Sequence, residues 1–168
     1  MNHIVRLGNG LLIRIGAEAG AAAGIVYLLG EELAAMLSGV SSVMPLRLFA
    51  SVLLGSSSFS SAANTASIAA LGGMVALLVT TVFGAIFAIL VHLFPCLTAT
   101  PGTLVIAGAT YGLFLWLGCF YVLGTFFWPW FLQTNPTTQF VLATFGYGVG
   151  LGLGFVLARV HRSPSCLF

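Results

Sequence analysis

The sequence contains no aspartate and no lysine. Its acidic residues are Glu18, Glu31 and Glu32, and its fixed cations are five arginines. Charged residues make up 5% of the chain, where a soluble domain carries about 25%. None stands between Arg47 and Arg159. Without aspartate no Ser–His–Asp set exists. A Ser–His–Glu set fails on placement, because His3, His92 and His161 fall towards one membrane face and Glu31 and Glu32 towards the other. Cysteine is also scarce. Cys96, Cys119 and Cys166 are odd in number and lack metal-ligand spacing, so they read as small buried apolar residues or free thiols. A net charge of +2 is too small for a nucleic-acid footprint.

What the chain has in abundance is apolar sequence, 60% of its 168 residues. No soluble fold hides that much, so the bilayer is the solvent for most of it. Several runs exceed the ~18 residues that mark a spanning helix, and none alternates with the ~10-residue dyad period of a barrel strand. The first run, residues 11–37, organises the rest. Gly16, Gly20 and Gly24 recur every four residues, with Ala19 and Ala23 beside them, a small-xxx-small face for close helix packing. Arg6 and Arg14 before the run resemble a signal peptide, but its length and Glu18 favour a retained helix. Arg14 and Glu18 are four apart and can pair on one face.

The expected architecture is all-α: an integral membrane four-helix bundle with one short interfacial helix, forming a single domain over residues 1–168. The spans are 11–37, 65–93, 103–126 and 139–160. The interfacial helix is 45–55, opened by Pro45, closed by Gly55 and too short to cross. Its Arg47 is the only cation on its side, so a structural ion pair with a buried Glu31 is expected. Glu31 and Glu32 diverge by about 100° on a helix and cannot share one environment. In the fourth span Gly146, Gly150 and Gly154 leave one side bare, and Gly148 and Gly152 leave another about 200° away. One bare side should meet the glycine stripe of the first span. The other is open to a further helix, a lipid or cofactor tail, or another subunit. Trp128 and Trp130 belong to an aromatic cluster suited to the membrane–water interface. His92 and His161, near helix ends, are weak metal or haem candidates, and no metal site is predicted. The glycine run 146–152 superficially suits a dinucleotide loop but lies inside a span, with no strand before it. Arg6, Arg14, Arg159 and Arg162 on one side against Arg47 on the other favour both termini in the cytoplasm of a bacterial inner membrane.

Three blocks carry a resemblance. They are residues 24–31 (Gly-Ile-Val-Tyr-Leu-Leu-Gly-Glu), the stretch from Pro45-Leu46-Arg47 to Gly55, and Phe120-Tyr121 followed by Phe127-Trp128-Pro129-Trp130-Phe131 and Asn135-Pro136 with Gln139. In these the chain resembles small four-span bacterial inner-membrane proteins of the YagU-like kind, some of them labelled sodium:proline symporters. The resemblance implies histidines within the second and fourth spans. Here the corresponding positions are Ala76 and Ala143 or Thr144, a departure that argues against a cofactor or ion site.

The leading expectation is a non-catalytic accessory subunit packed within a larger membrane complex of respiratory or photosynthetic electron transport. Its partners would be the bilayer and larger membrane subunits, with no nucleic acid and no soluble substrate. The alternative is a small transporter or homo-oligomeric channel using Glu31 or Glu32. A weaker one is a haem-, quinone- or pigment-binding protein. No cofactor is predicted, and a bound lipid can be accommodated.

Overall fold

The computed structural model describes residues 9–60 and 64–158. His3, Arg6, Arg159, His161, Arg162 and Cys166 lie outside the described residues. The chain is all-α, with no strand among the described residues. Four helices are long and apolar enough to cross a membrane. The first span is the helix Asn9–Leu37, and the second is Thr65–Leu93. The third is Pro101–Phe127 and the fourth Pro136–Leu157. The surface helix Met44–Leu54 lies between the first and second.

Local chemistry explains the boundaries. The Asn64 side chain accepts from the backbone N–H groups of Ala66 and Ser67, satisfying donors that a helix start leaves free. Thr100 and Thr103 form a reciprocal capping box, so the third helix begins at Pro101, ahead of the apolar run that starts at Thr103. The Asn135 side chain accepts from Thr137 and Thr138 N–H, and Pro136 occupies the first turn, where no N–H is needed. The fourth helix therefore starts three residues before Gln139. Two stretches wind as π-helix, Leu117–Leu123 in the third span and Leu142–Val149 in the fourth.

Three seams of the bundle are closed by small residues. A Cβ on Gly16 would sit 2.6 Å from the Ala88 Cβ, one on Gly20 2.8 Å from the Gly84 Cα, and one on Gly24 2.7 Å from the Thr80 Cβ. The glycine stripe of the first span thus faces the second span, not the fourth. The fourth span meets the neighbouring alanine stripe instead: a Cβ on Gly154 would lie 2.7 Å from the Ala19 Cβ, and one on Gly150 3.3 Å from the Ala23 Cβ. Residues three apart on a helix are offset by about 60°. Two adjoining stripes of one helix can therefore seat two neighbours. Gly146 makes only ordinary contact, 4.0 Å from the Tyr27 Cα. The opposite side of the fourth span packs on the third, where Gly152 comes within 2.8 Å of the Val105 Cα and Gly148 within 3.1 Å of the Ala109 Cα on the same measure.

The fourth seam, between the second and third spans, is different. No described glycine of either span lies against the other. Side chains bridge it: Tyr111 donates to the Phe83 carbonyl at 2.9 Å, and the Phe87 and Tyr111 rings lie 5.2 Å apart. Phe87, Phe155, Leu104 and Leu151 are fully buried between the spans. Large apolar side chains such as Leu29, Leu78, Ile106 and Phe126 face outward, as a bilayer solvent requires. The surface helix is pinned to the second span. A Cβ on Gly72 would collide with the Leu46 carbonyl oxygen, and Ala50 and Ser51 are fully buried.

Candidate functional site

Tyr27 and Glu31 are four residues apart, so they project from one face of the first span. Glu31 lies six residues, about 9 Å, before the end of that helix at Leu37. Opposite them, Gln139 stands in the first turn of the fourth span, positioned by the Asn135 cap. Its amide joins the two residues. Tyr27 Oη donates to Gln139 Oε1 at 2.8 Å, and Gln139 Nε2 donates to Glu31 Oε2 at 2.8 Å. Glu31 is 6% exposed, and its Oε1 is buried with no hydrogen-bond partner. Glu32, turned away on the same helix, is half-buried.

Two cavities flank this chain of bonds. A vestibule of about 470 Å³ lies between the end of the first span, the start of the surface helix and the loop before the fourth span. Glu31, Ser38, Trp130, Asn135 and Thr138 contribute to its wall. A second cavity of about 270 Å³ lies deeper, among Tyr27, Phe83, Trp116, Phe120, Trp128 and Tyr147. Gln139 lines both. The vestibule contains a carboxylate and several hydroxyl and amide groups, whereas the inner cavity has no charged residue in its wall.

The expected ion pair between Glu31 and Arg47 is not formed. Arg47 Nη1 donates to the carbonyls of Ser58 at 3.1 Å and Ser60 at 3.3 Å, and Nη2 donates to Thr65 Oγ1 at 3.1 Å. These acceptors lie on the loop leading into the second span, so the guanidinium binds that loop to the surface helix. The Glu31 carboxylate is turned to the fourth span, where an amide reaches it. The ion pair recorded among the described residues is the exposed Arg14–Glu18 contact at 2.8 Å. Trp128 and Trp130 are half-buried: Trp130 Nε1 donates to the buried Ser51 Oγ at 2.7 Å, and Trp128 lines the inner cavity. The outward rings of that block are Phe126 and Phe127. His92 is exposed in the last turn of the second span. Among the described residues no three His, Cys, Asp or Glu side chains gather as a metal site would need.

Sequence reasoning missed Tyr27, Gln139 and Trp116 as site residues. The four-residue spacing of Tyr27 and Glu31 is a usable signal. Gln139 offers none by itself, because it is uncharged and distant in sequence from both partners. Comparisons of the chain with protein-family models, curated proteins and solved structures returned no match.

Proposed function

We propose that this protein is a small membrane carrier in which a monovalent cation exchanges for a proton at Glu31. One observation carries the reading: a carboxyl group, nine-tenths buried within a spanning helix, has one oxygen held by Gln139 and the other buried without a hydrogen-bond partner, on a residue that contributes to the wall of a polar vestibule. An ionisable group inside a membrane span is costly and marks a functional path by default. A bare buried carboxylate oxygen requires either a proton or a cation. The exchange balances, one proton leaving the carboxyl group as one cation enters. Gln139, which borders both cavities, is the natural gate between them. The glycine faces that argued for a partner subunit are occupied by helices of the same chain, which weakens that argument.

Proteoliposomes with an internal pH indicator test the reading. An inward sodium or potassium gradient should drive proton release in wild type and in Glu32→Gln, and Glu31→Gln should abolish it. Equal flux in Glu31→Gln, or none in wild type, overturns the proposal.

A second reading is an accessory subunit of a larger membrane complex. The third span is the least covered of the four and exposes Ile106, Phe114, Val122 and Phe126. A mild-detergent native gel showing stoichiometric companions would favour it. The arginine distribution supports both termini lying in the cytoplasm.

A further inference from the structure

We infer that the inner cavity holds one acyl chain of a membrane phospholipid, taken in sideways beneath the surface helix while the headgroup stays outside. The inference does not rest on cation exchange at Glu31. It begins from the chemistry of the wall. No charged residue lines the cavity, and its hydroxyls are committed to the protein. Tyr27 Oη donates to Gln139 Oε1 at 2.8 Å, Tyr147 Oη to the Thr80 carbonyl at 2.8 Å, and Thr80 Oγ1 to the Ala76 carbonyl at 3.0 Å. The remaining surface is mainly hydrocarbon and ring, from residues such as Val79, Leu115, Phe120 and Trp128. Water is poorly held there, because a buried water needs several polar partners. An empty space of about 270 Å³ would forfeit the dispersion contacts of the groups around it. The space therefore calls for hydrocarbon.

The cavity is not enclosed. Small residues shut three seams of the bundle, which leaves the one between the second and third spans. At mid-membrane that seam is tied: Tyr111 donates to the Phe83 carbonyl at 2.9 Å, and its ring lies 5.2 Å from Phe87. This tie is the floor of the cavity, not its mouth. Leu115, Cys119 and Leu123 follow Tyr111 at four-residue intervals, so they climb one face of the third span towards the surface helix. All three line the cavity, together with Val79, which stands four residues before Phe83 on the second span. Among the described residues no hydrogen bond or ring contact joins the two spans at this level. Leu123 is 40% exposed, so it belongs both to the cavity and to the lipid-facing surface.

The slot is one leaflet deep. Leu115 stands one residue past the middle of the 27-residue third span, and Leu123 lies about 12 Å further along the axis. Half of a hydrocarbon core about 30 Å thick is about 15 Å. The slot thus runs alongside the chains of the vestibule-side leaflet. Its outer end is roofed by Phe49 and Val52 of the surface helix and by Trp128 and Phe131 of the loop before the fourth span. That apolar roof offers a headgroup no place, so selection falls on the chain alone. Acyl chains are the solvent at the open side, and their concentration there favours occupancy by mass action.

The test reconstitutes purified full-length protein in bilayers of phospholipids brominated at mid-chain, where bromine quenches tryptophan fluorescence on contact. Trp128→Phe and Trp130→Phe leave Trp116, which lines the cavity, as the single emitter. Mid-chain bromine should quench it strongly. Cys119→Phe, which fills the slot, should remove most of that quenching, while Val122→Phe on the exposed face of the same helix should leave it intact. Should Cys119→Phe fail to fold, Ala143→Leu fills the slot from the fourth span. Zwitterionic and anionic brominated lipids should quench equally. Absence of quenching in the single-tryptophan protein, quenching that survives a filled slot, or dependence on headgroup charge would each overturn the inference.

Discussion

The side-chain amide of Gln139 holds Glu31 from across the bundle, donating through Nε2 to Oε2 at 2.8 Å. The bond links the first turn of the fourth span to the far end of the first. Replacing Gln139 by Leu removes the amide donor from a buried carboxyl group. The expected cost is about 1–3 kcal/mol. Adding Glu31→Leu to that variant should recover part of the loss, because the bare group is then gone. Unfolding of the four proteins of this cycle in mixed micelles measures the coupling. A strictly additive cycle would show that the two side chains do not depend on each other.

Arg47 should be uncoupled from Glu31. Its guanidinium grips two loop carbonyls and Thr65 Oγ1, an arrangement that needs the fork of an arginine. Arg47→Lys keeps the charge but should lose much of this grip, destabilising by about 1 kcal/mol. The Arg47→Lys and Glu31→Gln effects on unfolding should add within about 0.5 kcal/mol. A larger interaction energy would restore the ion pair that the charges alone suggest.

The seam between the first two spans predicts a sharp contrast among glycines. A methyl group on Gly84 would run into the Gly16 carbonyl oxygen and sit 2.7 Å from the Gly20 Cα. Backbone cannot yield as a side chain can, so Gly84→Ala should cost about 1–3 kcal/mol. Gly118 has open space where its Cβ would be. Gly118→Ala should change stability by less than about 0.5 kcal/mol. Unfolding in detergent titrations separates the two, and equal effects would mean that the first two spans are not in backbone contact.

Much of this architecture is legible in the residues themselves. Apolar run length and the near-absence of charge specify four spanning helices, and four-residue glycine spacing marks the faces that lie bare. Which neighbour fills each face is not legible. Gly16 and Ala19 are three residues apart on one helix, and only the assembled bundle assigns the first to the second span and the second to the fourth. Glu31 reads as a residue in need of a partner. Charge draws attention to Arg47, whereas the actual partner is a neutral amide whose reach depends on where the Asn135 cap starts a helix. The π-helical stretches leave no comparable signature, because they are shifts of hydrogen-bond register rather than of composition. The inner cavity they border is therefore invisible until the spans are packed.

Trp130 and Ser51 should act as one unit. The indole N–H donates to a fully buried hydroxyl at 2.7 Å and ties the loop before the fourth span to the surface helix. Trp130→Phe removes the donor, and Ser51→Ala removes the acceptor and leaves the indole unpaired. Each should destabilise by about 1–2 kcal/mol, and the double variant by less than the sum. Additive losses in chemical denaturation would show that the bond contributes nothing of its own.

Membrane orientation can be read from two cysteine positions at opposite ends of the bundle. Cys96 is exposed in the turn between the second and third spans. Thr137 is exposed in the first turn of the fourth span, beside the vestibule. Four helices crossing in alternation put these two sites on opposite membrane faces. If the arginine-rich ends are cytoplasmic, the vestibule opens outward, and the proposed exchange takes its cation from outside the cell. In intact cells, an impermeant maleimide should label Thr137→Cys in a Cys96→Ser, Cys119→Ser, Cys166→Ser background. Cys96, kept alone, should react only after permeabilisation. The reverse pattern would invert the protein, making the cytoplasm the side from which Glu31 is loaded. Labelling of both sites in intact cells would rule out the four-span topology itself.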